Sequence, residues 1–104
     1  MKRIAFKMKL KPGNEEEYKR RHDELWPELH DLLKSKGLQA YSIFLDRQTL
    51  DLFGVLNIKD EWALDELAAE DVMKKWWDYM KDLMEVNADN SPVSIPLEEV
   101  FYLP

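Results

Sequence analysis

Tyr18 and His22 stand four residues apart in the stretch YKRRHDELWPEL, a spacing that puts both side chains on one face of a helix. An imidazole, with an ordinary pKa near 6.5, both accepts and donates protons at neutral pH. A second phenol, Tyr41, opens the stretch YSIFLD, and both phenols can hydrogen-bond an uncharged polar ligand. Trp76 and Trp77 add indole faces and N–H donors, which stack on the C–H face of a sugar while binding its hydroxyls. Together these groups fit proton transfer on an uncharged polar substrate.

Each member also has a plainer reading. At about 100° per residue, Tyr18, His22, Leu25, Leu29, Leu32 and Leu33 share one direction to within about 60°. His22 therefore points inward, either as a core histidine satisfied by a carbonyl such as that of Asp23 or as a proton carrier. Trp76 and Trp77 diverge by about 100°, so one can face the core while the other lines an edge or cleft. His30 falls about 80° from His22 toward the polar side and reads as a surface residue. The two histidines do not converge, and with no cysteine and no HExxH motif no metal site is predicted. Lys19, Arg20 and Arg21 look like a phosphate patch, but Glu15, Glu16 and Glu17 precede them by four residues, which predicts a solvated ion-pair face.

Other chemistries lack their parts. There is no Gly-rich phosphate loop, no GxSxG and no dinucleotide fingerprint, so phosphoryl transfer and nucleotide-linked redox are unsupported. Without cysteine, disulfides, thiolate catalysis and cysteine-bound zinc are excluded. A net charge of −6 repels nucleic acid and anionic lipid. Lys7 and Lys9 interrupt the apolar residues of the amino terminus, and no apolar run approaches the roughly 18 residues of a membrane span, so a cytoplasmic protein is expected. The 104 residues, 45% hydrophobic, predict one domain over 1–104.

The elements that must hold these side chains follow from periodicity. Ile4, Phe6, Met8 and Leu10 alternate with Ala5, Lys7 and Lys9 as in a half-buried strand, which Pro12 and Gly13 end. Asn14 is placed to cap a helix that closes at Gly37, with a kink at Pro27. Strands around Tyr41–Leu45 and Leu52–Ile58 form a hairpin across the polar run Asp46–Asp51. Asp60 and Asp71 start the two parts of one broken helical segment, the second running through Val72, Trp76, Met80, Leu83 and Met84. Leu97–Leu103 reads as a final strand. The order strand, helix, strand, strand, helix, strand predicts an α+β fold of the ferredoxin-like split βαβ type, with an antiparallel sheet carrying helices on one face. The other face is left bare, which predicts a two-fold dimer.

The segments EEYKRRHDELWPEL, AYSIFLD, KKWWDYM and NADNSPVS, followed by LEEVFYLP, resemble the L-rhamnose mutarotase family over essentially the whole chain. The resemblance implies a dimeric α+β barrel protein that interconverts the α and β anomers of L-rhamnose without a cofactor. It also implies His22 as proton donor and Tyr18, Tyr41, Trp76 and Trp77 as sugar-binding residues. Mutarotation needs an acid at the ring oxygen and a base at the anomeric hydroxyl. His22 is the candidate acid, and the base is open between a tyrosine of lowered pKa, a water and a carboxylate such as Asp23. Two rival readings stand beside this one: a cofactor-independent monooxygenase, and a non-catalytic sugar-binding or dimerisation module.

Overall fold

The computed structural model describes residues 1–104. In chain order the elements are β1 (Lys2–Lys9), α1 (Glu15–Asp23), α2 (Pro27–Ser35), β2 (Gln39–Leu45), β3 (Asp51–Ile58), α3 (Trp62–Ala68), α4 (Asp71–Met80) and β4 (Ile95–Leu97). The strands form one antiparallel sheet in the order β2-β3-β1-β4. With the helices on one side, this is the ferredoxin-like α+β arrangement, each helical connection being divided in two.

Register follows from the alternation. Ile4 lies opposite Leu56, Phe6 opposite Gly54 and Met8 opposite Leu52, so one face of the two central strands is apolar and turned to the helices. Leu10, Leu29, Leu52, Leu56 and Ile58 are almost wholly buried. Each such side chain stabilises the fold by roughly 1.5–3 kcal/mol through transfer from water. Two core clusters, one around Leu29, Leu52 and Trp76 and one around Leu38, Leu56 and Leu67, are joined by Phe6, Leu32, Leu33 and Met73, which pack against both.

Several boundaries differ from expectation. The helix predicted from Asn14 to Gly37 is not kinked but broken, and Pro27 is the first residue of α2. Proline favours that position because its missing N–H would have no intrahelical partner, and it drives the preceding residue out of helical space. Trp26 is accordingly extended, at φ −59°, ψ 133°. Asn14 precedes α1 but makes no side-chain cap, and its Nδ2 instead donates to the Leu83 carbonyl at 3.3 Å. Gly37 does close α2, at φ +85°, with its N–H on the Lys34 carbonyl and that of Leu38 on the Leu33 carbonyl, the paired bonds of a Schellman cap. The Asp60 carboxylate accepts the Trp62 N–H at 3.1 Å at the start of α3. The two parts of the broken segment are α3 and α4, as expected, but α4 stops at Met80, short of the predicted Leu83 and Met84, which follow in a buried turn. The last strand is shorter and earlier than Leu97–Leu103, because β4 pairs only with Ala5–Lys7 of β1. Beyond it the chain is irregular, with Val100, Phe101 and Leu103 exposed and the Arg3 guanidinium 3.9 Å from the Tyr102 ring centre.

Gly54 is fixed by close approach. A Cβ there would lie 2.4 Å from Cζ of Phe6, whose ring in turn meets Tyr41 edge-on at 6.1 Å. Gly54→Ala is expected to cost about 1–3 kcal/mol through overpacking. A urea midpoint equal to that of the unaltered protein would refute this.

The sheet face away from the helices is uncovered. It carries Phe44, 62% exposed, and Ile95, 52% exposed, together with Phe53, Val55 and Leu97.

Candidate active site

The carboxyl-terminal turn of α1 presents His22, half-buried, to a cavity of about 510 Å³ between the helices and the sheet. Its Nδ1 lies 3.0 Å from the backbone carbonyl of Tyr18, one turn earlier. A carbonyl only accepts, so Nδ1 carries the hydrogen and Nε2 is left with the lone pair of the neutral ring. The partner is therefore the Tyr18 carbonyl and not that of Asp23. Burial lowers the imidazole pKa from 6.5, against the opposing effects of this hydrogen bond and of Asp23.

Aromatic rings fix the histidine from two sides. The Tyr18 ring lies 4.4 Å away at a 35° tilt, and Trp76 meets the imidazole edge-to-face at 5.4 Å and 88°. Trp26 then stands perpendicular to Trp76 at 5.1 Å, and Tyr79 leans on both indoles. Trp76 is 5% exposed and belongs to the core, whereas Trp77 is half-buried and lines the cavity wall, the division expected of adjacent helical residues.

The charged end of α1 is less solvated than predicted. Arg21 has a side chain only 12% exposed; it bonds Glu17 at 2.8 Å, Asp82 at 3.1 Å and the Tyr79 carbonyl at 2.6 Å, with its guanidinium 4.3 Å from the Tyr79 ring centre. Arg20 pairs with Glu17 and Glu24, and Lys19 with Asp23, so only Glu17–Arg21 keeps the predicted spacing of glutamate four residues before its cation. Arg20 and Arg21 hold the Glu17 carboxyl down at about 2.

All five predicted side chains converge. Tyr41, His22, Trp76 and Trp77 line the large cavity, and the same four with Tyr18 surround an adjoining hollow of about 80 Å³. Burial raises the pKa of both phenols, with Tyr41 adding to the effect on Tyr18, so both stay protonated far above neutrality. This removes the tyrosine of lowered pKa from the candidate bases. Asp23 is 61% exposed and paired with Lys19, outside the cavity lining. His30 is exposed, as expected, yet contributes to the outer wall. Sequence reasoning passed over Phe6, Trp26 and the wall formed by Ser91, Pro92 and Ser94. The last was signalled by NADNSP: Asp89 accepts the Ser91 N–H at 3.0 Å and Asn90 is left-handed at φ 69°, turn chemistry that holds the loop against the cavity.

A family model described as L-rhamnose mutarotase matches residues 3–103. The chain belongs to the L-rhamnose mutarotase family. Within that family it is similar to the L-rhamnose mutarotase of Formosa agariphila, 55% identical over 99% of each chain. That of Brucella anthropi is 56% identical over 98% of this chain and 96% of the relative. The crystal structure of the Formosa agariphila L-rhamnose mutarotase superposes with a TM-score of 0.93 at 54% identity over the whole of both chains. An antibiotic biosynthesis monooxygenase, 14% identical with a TM-score of 0.51 over 94% of this chain and 97% of its own, shares the fold alone. No helix of this mutarotase-family chain is long and apolar enough to cross a membrane.

Proposed function

We propose that this chain interconverts the α and β anomers of L-rhamnose by acid/base ring opening and closure, with His22 carrying the proton. The observation that carries the reading is the oriented imidazole: Nδ1 is tied to the Tyr18 carbonyl, and the ring lines a cavity shared with Tyr41, Trp76 and Trp77. With its lone pair on Nε2, His22 serves in this reading as the base of ring opening and not as the acid at the ring oxygen expected from the sequence: Nε2 takes the anomeric hydroxyl proton as the ring opens to the aldehyde, and returns it after rotation about C1–C2. His22 thus acts as the proton donor in the closing half. Tyr41 and the indoles on the wall of the large cavity bind the sugar, Tyr18 backs His22 from the adjoining hollow, and Phe6, Met8 and Ile43 offer an apolar seat for the sugar's methyl group.

Exchange NMR on the anomeric protons of L-rhamnose tests the reading. Faster α/β exchange with protein than in buffer is expected. Binding without exchange would make the chain a sugar-binding module, and oxygen uptake with an aromatic substrate would favour a monooxygenase.

A homodimer belongs to the same proposal, supported by the apolar face that exposes Phe44, Ile95 and Leu97. Sedimentation is expected to give twice the chain mass, and Phe44→Lys to lower it toward the monomer. A monomeric unaltered protein at micromolar concentration would refute the dimer. Residues 1–104 are read as one domain because four residues join its two core clusters. A cytoplasmic setting belongs to the same proposal, supported by a chain without a single cysteine to oxidise.

A further inference from the structure

Ring opening needs a second group, because the proton that leaves the anomeric hydroxyl is not delivered by the same atom to the ring oxygen. The titratable side chains on the two cavities are His22, Tyr18, Tyr41, His30 and Lys34. His30 bonds Asp31 at 3.2 Å and lies with Lys34 on α2, two turns or more beyond His22 along the chain. Tyr18 is 8% exposed and reaches only the hollow of about 80 Å³, too small for a pyranose. Tyr41 alone of the phenols reaches the large cavity.

The backbone turns Tyr41 there by a local irregularity. Gln39 pairs with Asn57 and Ser42 with Val55, so β2 spends three steps where β3 spends two, a bulge of one extra residue. Ala40, within it, is left-handed at φ 51°, a strained conformation for a residue with a side chain. Continued without the bulge, the register would set Tyr41 opposite Val55, on the face away from the helices. The extra residue moves Ser42 to that place and brings Tyr41 to the cavity, where Phe6 supports its ring edge-on at 6.1 Å.

We propose that Tyr41 is the second catalytic residue, the acid that protonates the ring oxygen while His22 takes the proton of the anomeric hydroxyl. The inference rests on the mutarotase reading of this site. As the C1–O5 bond breaks, its electron pair takes the Tyr41 proton, and the O1–H pair becomes the second bond of the C1 carbonyl as that proton moves to Nε2 of His22. The result is the open aldehyde with a tyrosinate and an imidazolium. After rotation about C1–C2, O5 attacks C1 and returns its proton to Tyr41, while O1 regains one from His22, so nothing is consumed. Tyr41 is 40% exposed as a residue, yet desolvation of its hydroxyl raises the pKa, which keeps the proton in place until an alkoxide develops.

Tyr41→Phe keeps the ring and removes the acid. Its kcat for anomer exchange is expected to fall at least about 100-fold with KM changed less than threefold and an unaltered melting curve. Incorporation of a fluorinated tyrosine of lower pKa at position 41 should move the alkaline limb of the pH–rate profile to lower pH. A merely binding phenol would raise KM at constant kcat and leave that limb in place, and this outcome overturns the proposal. So does full kcat in Tyr41→Phe, or loss confined to Tyr18→Phe. The mutarotase reading fails separately: the unaltered protein would then show no catalysed exchange.

Discussion

His22→Ala is expected to lower catalysed anomer exchange by about 10²–10⁴-fold while leaving the fold in place. The side chain is half-buried and its one polar contact is the bond to the Tyr18 carbonyl, so truncation removes that bond and the ring contacts with Tyr18 and Trp76 but leaves the strands in place. In the unaltered protein the rate should fall on the acid side with a midpoint below 6.5, because protonation of Nε2 removes the acceptor and burial lowers the imidazole pKa. The same shift links to stability. Between the folded pKa and 6.5 the unfolded chain binds more protons, so stability declines as pH falls from 6.5 through the folded value, and His22→Ala loses this dependence. Exchange NMR and chemical denaturation across pH 4–8 check both arms, and full activity in the variant would end the mechanism.

The tryptophan pair should separate folding from binding. Trp76 is 5% exposed in the main core cluster and supports His22 and Trp26 edge-to-face, so Trp76→Ala is expected to destabilise by about 3–5 kcal/mol. Against a typical total of about 5–15 kcal/mol, that is a large fraction of the stability of a small domain. Trp77, half-buried on the cavity wall, should instead weaken sugar binding when truncated, with little change in the melt. Urea denaturation beside a rhamnose titration measures the contrast. Equal midpoints for the two alanine variants would show that their burial does not decide their roles.

The strands flanking the sheet centre were legible because apolar alternation in Ile4–Leu10 and Leu52–Ile58 needs no tertiary information. The inward direction of His22 followed in the same way from its place among leucines. Helix boundaries were harder. Pro27 is compatible with a kink or with a new start, and only the packing of Trp26 against Trp76 and Tyr79 decides for the start. The final strand was misplaced because Val100-Phe101-Tyr102 reads as strand by composition, whereas its pairing depends on which positions of β1 lie opposite. The bulge at Ala40 and the half-buried position of Arg21 had no local signal, since each depends on a partner distant in sequence.

Arg21 gives the molecule a fastening of a different kind from its core. Through Asp82 and Tyr79 it ties the helix of His22 to the end of the helix bearing both tryptophans. The Glu17 and Asp82 carboxyls that grip it have lowered pKa values, so this clasp is engaged above ordinary carboxylate values and slackens only as they protonate. Acid therefore silences the imidazole first, with the clasp between the two helices still engaged, and loosens that clasp only later. Concentrated salt would act on the clasp alone, since the leucine core carries no charge to screen.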